Sequence, residues 1–230
     1  YNKRSLCTAT KEASMSKKKK ILCIVLSGVL LAAAIAGIII FHSLKKDYNL
    51  EQKSGFSMGS VVTIKLYGDD TFKKLDAVKN GIDNLEKIIS RKIDSSAVSA
   101  LNKNGSVQNA VCAEIVQKCR KISEMSAGAF DLTIAPLSSL WNFDSGAQEV
   151  PAEKDIQKAL ALVDYEKIQA DSKTVTLKKG QSLDLGAVGK GAACDAAKAY
   201  LEKSGVKGAV ISVGGSILAY GKRNKLGDKW

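Results

Sequence analysis

The longest apolar run in the chain extends from Ile21 to Phe41, contains no charged residue, and is about as long as the ~20 residues that cross a bilayer. Four lysines, Lys17 to Lys20, precede it. Positively charged flanks stay on the cytoplasmic side, so this pattern predicts a single-pass membrane anchor with everything after His42 outside. The alternative is a cleaved signal peptide with small residues at Ala34-Ile35-Ala36, but Ile38 to Phe41 continues the apolar run past that site.

These boundaries divide the chain into four segments. We expect a basic cytoplasmic N-terminus at residues 1–20, the anchor or signal at 21–41, a polar tether at 42–55 and one extracytoplasmic domain at 56–230. The expected location of the protein is therefore the cell membrane, with its folded domain on the outer side.

Within that domain the spacing of the hydrophobic residues changes between two, which is typical of strands, and three or four, which is typical of helices. Val61 to Tyr67 has strand composition, and the following helix shows one apolar stripe at spacings of three and four. The stripe consists of Leu75, Val78, Ile82, Leu85, Ile88 and Ile89. Thr174–Leu177 and Ser182–Leu185 flank a polar turn and predict a hairpin, a helix follows at about Lys190–Lys203, and Gly208–Val213 predicts another strand. The pattern indicates an α+β domain with a largely antiparallel sheet.

Charge and composition exclude several functional classes. The formal net charge is +12, but seven basic residues and one acidic residue precede His42, so the remainder carries only +6, without a basic stripe interleaved with aromatics. We therefore expect no nucleic-acid partner. The only histidine, His42, abuts the anchor, which argues against a zinc centre or a Ser-His-Asp triad. Cys112 and Cys119 are seven positions apart on a predicted helix, about 10 Å along its axis, so we expect free thiols.

The most informative motif extends from Leu183 to Asp195, with the sequence LDLGAVGKGAACD. A strand ending in Asp184 is followed by glycines, and Lys190 opens a helix whose free amides face the loop, which is the composition of an anion site. The spacing is not that of a Walker loop, because only two residues separate Gly186 from Gly189-Lys190. A tight strand-to-helix turn without a ligand remains the alternative.

A second motif, SAGAFDLTIAPL, runs from Ser126 to Leu137. An aromatic residue beside a carboxylate, here Phe130 and Asp131, can stack on a ring and accept its hydrogen bonds. The alternative is that Phe130 packs in the core and Asp131 caps the next turn.

Taken together and in order, these motifs resemble the ApbE family of FAD:protein FMN transferases. The resemblance covers roughly Phe56 to Trp230. The matching segments are Ser57–Ser60, Asp94-Ser95 with Leu101-Asn102, Gly128–Thr133 with Pro136, Leu183–Asp195, and Ser212–Ile217.

The resemblance implies a T-fold-related domain of two α/β lobes with FAD bound between them. It implies that six residues contact FAD, namely Met58, Ala129, Phe130, Asp131, Asp184 and Lys190. It further implies that the backbone carbonyl of Ala187 is a ligand of Mg²⁺. The expected reaction is Mg²⁺-dependent transfer of FMN from FAD to a threonine or serine hydroxyl of a client flavoprotein, with release of AMP. The client would be a protein such as a redox-pump subunit or an extracellular reductase.

Departures from the family pattern limit these expectations. The side-chain metal ligands and the catalytic residues are expected downstream of Trp230, so we expect the 230-residue chain alone to be inactive. Arg91 stands where an aromatic residue is frequent, and Ser96 and Ser216 replace commoner acidic residues. An exported flavin-binding module without transferase activity is the main alternative function, and a structural membrane-tethered domain is a third.

Overall fold

A computed structural model describes residues 17–143, 150–228 and 230. The described residues form two compact units, one within residues 17–46 and 224–226 and the other within the described parts of 47–223 and 227–230. Most of the predicted cytoplasmic segment, residues 1–16, lies outside the described residues.

The first unit contains the apolar run. Helix α1 spans Lys17–Lys45, its 29 residues are exposed along most of their length, and it is long and apolar enough to cross a membrane. A signal sequence near an N-terminus meets the same criterion. At the end of the helix, the side-chain amide of Asn224 donates to the backbone carbonyl of Lys45 at 3.1 Å.

The second unit is built on a four-stranded antiparallel sheet. Its strands are β1 (Leu50–Ser57), β2 (Ser60–Tyr67), β6 (Gly208–Val213) and β7 (Ser216–Gly221), hydrogen-bonded in the order β1-β2-β6-β7. Strand β1 overlaps the second half of the predicted polar tether. Its polar composition fits an edge strand, since each of its residues before Ser57 is at least partly accessible while β2 supplies buried side chains.

Helices cover one face of this sheet. α2 (Phe72–Ile89) and α7 (Gly186–Ser204) pack against each other and against the strands. The predicted stripe of α2 is confirmed, since Leu75, Val78, Ile82, Leu85 and Ile89 are buried and Ile88 packs against the same core. Inward-facing Ile64 and Ile211, both fully buried, belong to that core as well.

A second, three-stranded sheet lies beyond α3 (Ala97–Asn104). It consists of β3 (Ser106–Gln108), β4 (Gln169–Ala170) and β5 (Thr174–Thr176) in the order β3-β5-β4, all antiparallel. The α-helices described between β3 and β4 are α4 (Ala110–Met125), α5 (Ala135–Ser138) and α6 (Glu153–Leu160). Both sheets contribute to one hydrophobic core. The α+β class with antiparallel sheets is therefore confirmed.

The predicted hairpin of Thr174–Leu177 with Ser182–Leu185 is wrong. Strand β5 pairs with β3 and β4, and Ser182 forms an isolated parallel bridge with Ile134. The turn at residues 178–181 instead leads into a segment held by a side chain of α3, because Asn102 and the backbone of Leu183 exchange two hydrogen bonds. A local turn pattern could not reveal these distant partners.

Helix α7 begins at Gly186, four residues before the predicted start at Lys190. Glycines disfavour helix interiors by ~1 kcal/mol each, which is why the sequence predicted a loop there. Packing outweighs that preference: a Cβ at Gly189 would lie 3.3 Å from the Cδ1 atom of Ile89, so glycine permits the close approach of α7 to α2.

Candidate functional site

A surface cleft of about 450 Å³ lies where the β1–β2 turn, the end of α2 and the start of α7 meet. Three of the residues predicted to contact FAD line it: Met58, Asp184 and Lys190. The remaining lining residues are Gly59, Glu86, Ile89, Ser90, Arg91, Lys92, Ile93, Phe143, Leu185, Gly186 and Gly189. The structure therefore assembles two of the predicted motifs into one concave surface, although they are more than 120 positions apart in sequence.

Met58 reaches the cleft from a tight hairpin turn. Met58 and Gly59 connect β1 and β2 with φ values of 54° and 65°, the left-handed backbone of a two-residue turn whose twist matches the strands. A non-glycine residue in this region costs roughly 1–2 kcal/mol. The partly buried Met58 side chain packs against the core, which fixes its position on the cleft wall.

Asp184 is held on both carboxylate oxygens. Its Oδ1 accepts a hydrogen bond from the backbone amide of Gly186 at 2.8 Å, at the first residue of α7. Its Oδ2 lies 2.8 Å from Nε of Arg91, in an ion pair in which the Arg91 and Asp184 side chains are 30% and 23% exposed. The backbone amide of Asp184 donates to the carbonyl of Leu132. The carboxylate is therefore fixed in orientation while remaining accessible from the cleft.

Lys190 lies near the start of α7, beside the β6–β7 turn. A Cβ at Gly214 would lie 3.3 Å from Cε of Lys190 and 2.9 Å from Oγ of Ser60, and Gly214 has a φ of 57°. A glycine is therefore needed where this turn closes over the lysine. Within the described part of the chain, the side chain of Lys190 makes no ion pair or hydrogen bond with another residue. Its ammonium group is available to a ligand.

The charges that line the cleft favour an anion. Three of its residues are cationic, Arg91, Lys92 and Lys190, against the two carboxylates of Glu86 and Asp184. Both carboxylates already have partners, because Glu86 Oε2 accepts from a buried serine hydroxyl of β1 at 2.9 Å and Asp184 pairs with Arg91. The partially positive N-terminus of α7 adds to the net positive charge.

The other three residues predicted to contact FAD lie elsewhere. Ala129, Phe130 and Asp131 are not among the described residues that line this cleft. Phe130 packs against the core, as the alternative interpretation of the second motif expected. Asp131 is engaged internally: Oδ1 accepts from the backbone amide and hydroxyl of Thr133 at 2.7 and 2.6 Å, and Oδ2 accepts from the amide of Tyr165 at 3.0 Å. In this conformation Asp131 organises two loops, and its contact with FAD stays a prediction.

Ala187, the predicted backbone ligand of Mg²⁺, lines a different groove of about 560 Å³ between α4 and α7. It lies in the first turn of α7, where a carbonyl normally accepts from the amide four residues later. The described residues contain no group of three or more His, Cys, Asp or Glu side chains placed to hold a metal. Mg²⁺ requires about six oxygen ligands, so these residues do not by themselves form its site in this conformation.

Sequence reasoning missed several residues of the cleft wall. Arg91 stands out in the sequence only as a departure from the family pattern, and no pattern indicates that Glu86, Lys92 or Phe143 lines a cleft. The hydrophobic stripe of α2 identifies Ile89 as a core residue, but the sequence contains no signal that the residues just after it turn toward Asp184. Only the contact between Arg91 and that aspartate, 93 positions apart in sequence, reveals this placement.

Comparison with known proteins identifies the family of this chain. The model of the ApbE family matches residues 58–230. The FAD:protein FMN transferase of Klebsiella pneumoniae is 28% identical over 183 residues, covering 76% of this chain and 58% of the relative. That of Vibrio cholerae is 24% identical over 208 residues, covering 86% and 62%.

Solved structures of the same family have a similar fold. The apo form of the Pseudomonas stutzeri flavinyl transferase ApbE is similar, with a TM-score of 0.70 and 27% identity, over 81% of this chain and 62% of that one. The flavin transferase ApbE of Vibrio cholerae has a TM-score of 0.69 at 24% identity, over 79% and 63%. The chain thus has the α+β fold of these structures. The chain belongs to the ApbE family, and it spans about three fifths of the length of the curated relatives that it matches.

Proposed function

We propose that this protein binds FAD in the cleft between the β1–β2 turn and α7 and transfers the FMN moiety to a hydroxyl group of a client protein. The observation that supports this most directly is Lys190, a cation near a helix N-terminus whose side chain has no partner among the described residues and lies in a cleft with Asp184 and Met58. A diphosphate is the part of FAD that such a site would bind. The relatives named FAD:protein FMN transferase support the same reaction class.

In the proposed reaction, the hydroxyl oxygen of a threonine or serine of the client forms a bond to the phosphorus on the FMN side of the diphosphate. The bond from that phosphorus to the bridging oxygen breaks, AMP leaves with that oxygen, and the hydroxyl proton passes to solvent. Lys190 would stabilise the negative charge that develops on the phosphate oxygens. Asp184, fixed by Gly186 and Arg91, would orient the bound nucleotide.

The threonine or serine acceptor, the release of AMP and the dependence on Mg²⁺ belong to this proposal through the family resemblance. A bound Mg²⁺ would neutralise part of the diphosphate charge. We assign no step to the metal, because the described residues do not form its site. The client, a flavoprotein such as a redox-pump subunit or an extracellular reductase, and the extracytoplasmic location of the domain are likewise proposed.

The alternative function, a flavin-binding module without transferase activity, would use the same cleft. Ala187 lies inside α7, and the described residues hold no cluster of metal-ligating side chains. Binding of FAD would require only the cleft, whereas the transfer proposed above would depend on Mg²⁺ as well. The two functions therefore differ in whether covalent transfer follows binding.

The experiment that separates them uses the protein in detergent micelles with FAD and an acceptor protein that carries a single threonine in its flavinylation segment. It is carried out with the 230-residue chain and with the same chain extended by the segment in which the metal ligands and catalytic residues are expected. We expect both to bind FAD and only the extended chain to give fluorescent, covalently flavinylated acceptor on a denaturing gel, with one AMP per FMN transferred and loss of both with EDTA. The acceptor with valine in place of that threonine is the control. FAD binding by the extended chain without covalent transfer would establish the binding module, and absence of FAD binding would contradict both functions.

A further inference from the structure

The segment that joins α2 to α3 places an arginine in the wall of the cleft. Nε of Arg91 lies 2.8 Å from Oδ2 of Asp184, and one terminal nitrogen donates to the hydroxyl of Ser139 at 3.2 Å. Three chain segments that are distant in sequence therefore meet at one guanidinium group. One of its two partners, Asp184, is itself a residue of the candidate site.

The backbone around Arg91 is fixed by its neighbours. The Ser99 hydroxyl donates to the carbonyl of Arg91 at 3.2 Å, and the buried Ser96 hydroxyl donates to the carbonyl of Ser90 at 2.6 Å. The amide of Lys92 donates to the Ser90 hydroxyl at 3.3 Å. The guanidinium thus extends from a rigid turn, and little conformational freedom remains to be lost when a ligand binds.

Arg91 has more donors than these contacts use. A guanidinium carries five N–H groups, of which Asp184 and Ser139 take two, and its side chain is 30% exposed at the cleft. Partly exposed ion pairs contribute little to folding stability, so stability alone does not account for an arginine here. A planar guanidinium suits phosphate oxygens in particular, because it offers paired donors in a fixed geometry.

We propose that Arg91 is a further ligand-binding residue of this cleft, which contacts the diphosphate of the dinucleotide while it holds Asp184, and so favours a diphosphate ligand over a monophosphate with the same flavin ring. This inference rests on the proposed function, since it concerns the same cleft. Lys190 supplies one cation on α7, and Arg91 supplies a second from the turn that follows α2. FMN has one phosphate and cannot use both cations as fully as FAD does.

The test compares three ligands: FAD, FMN and inorganic pyrophosphate. Calorimetric titrations of the full chain in detergent would measure their affinities for the wild type and for Arg91→Gln. We expect the substitution to lower the affinity for FAD and for pyrophosphate by roughly tenfold, in line with the loss of one charge-assisted hydrogen bond. The affinity for FMN should fall by less. Arg223→Gln is the matched control, because Arg223 pairs with Asp47 at 2.9 Å and does not line the cleft. It should leave all three affinities unchanged.

A second comparison separates a direct contact between Arg91 and the ligand from an indirect effect, in which Arg91 only neutralises the charge of Asp184. If Arg91 contacts the ligand, Arg91→Gln should weaken pyrophosphate binding to a similar extent in the wild type and in the Asp184→Asn background. Disappearance of the effect in that background would reduce Arg91 to a positioning residue for Asp184 and overturn the inference. Thermal melting confirms that each variant is folded.

The outcomes distinguish the inference from the proposed function. Wild-type FAD binding that Arg91→Gln leaves unchanged overturns the inference alone. Pyrophosphate binding that depends on Arg91, without any FAD binding, supports the anion contact and contradicts the proposed function. Absence of binding by all three ligands overturns both.

Discussion

Asn102 and Leu183 exchange two hydrogen bonds although they are 81 positions apart in sequence. The side-chain amide of Asn102 donates to the Leu183 carbonyl at 3.0 Å, and its oxygen accepts from the Leu183 amide at 2.7 Å. Leu183 is fully buried, so neither backbone group has water as a substitute. Through this pair, α3 fixes the backbone immediately before Asp184.

Asn102→Ala should therefore destabilise the domain and displace Asp184. It leaves two buried backbone groups without partners, each at a cost of about 1–3 kcal/mol. Denaturant unfolding would measure the loss. Asn104→Ala, at an exposed position of the same helix, is the control and should cost far less. Equal losses for the two variants would show that the pair does not anchor this segment.

Asp131 offers a test of structural against ligand-binding roles. Asp131→Asn retains an oxygen for Thr133 but replaces the oxygen that accepts from Tyr165, whereas Asp131→Ala removes all three hydrogen bonds. We expect the melting temperature to fall for both variants, and to fall further for the alanine variant. Because Asp131 does not line the cleft in this conformation, we expect the folded asparagine variant to lose less than about threefold in FAD affinity, which corresponds to ~0.6 kcal/mol. Strongly weakened FAD binding by the asparagine variant at unchanged stability would instead assign Asp131 to the ligand site.

The buried thiols predict a pH dependence of stability. Burial raises the pKa of Cys112 and that of Cys119 from 9.0 to about 11. Both thiols are neutral in the folded protein below that value, whereas in the unfolded chain they ionise near pH 9. The stability that they contribute is therefore present below pH 9 and is lost as the pH rises from about 9 to 11.

The measurement is the free energy of unfolding at about pH 8 and about pH 10, on either side of the unfolded-state pKa. It is made for the wild type and for the Cys112→Ala, Cys119→Ala double variant. We expect a steeper decrease in the wild type, since lysines and tyrosines titrate in both proteins. Parallel pH profiles would contradict the assignment of this dependence to the two thiols.

The orientation predicted from Lys17 to Lys20 is tested with protease added to intact cells. We expect the folded domain to be digested while a cytoplasmic marker survives. Protection of the domain under conditions that digest a known surface protein would place it on the cytoplasmic side.

The sequence predicted those features that depend on local pattern. The apolar run of α1, the stripe of α2 from Leu75 to Ile89 and the strands β2 and β6 follow from composition and period. The start of α7 and the partners of β5 did not, because tertiary packing decided them: Gly189 fits against Ile89, and Val175 pairs with Val107 rather than with a residue of the next segment.

The candidate site likewise contains residues that a sequence motif predicts and residues that only tertiary contacts place there. Asp184 and Lys190 belong to one motif at the start of a helix, where glycines and a lysine are a recognisable combination. Arg91 lies in a turn without any such pattern, and its role depends on a contact with Asp184 that only the folded chain creates. Phe130 was assigned to FAD by resemblance, and in this conformation its ring packs against the core.

The most direct test of the proposed function is the affinity of the full chain for FAD with and without the Lys190 ammonium group. Lys190→Ala should weaken FAD binding by roughly tenfold to a hundredfold, which corresponds to the ~1.5–3 kcal/mol of a charge-assisted hydrogen bond. Lys198→Ala, on the same helix but paired with Glu202 at 3.8 Å, is the matched control and should bind FAD like the wild type. Flavin fluorescence would report binding, and thermal melting would report folding. Unchanged FAD affinity in a folded Lys190→Ala variant would contradict the assignment of this cleft to the dinucleotide.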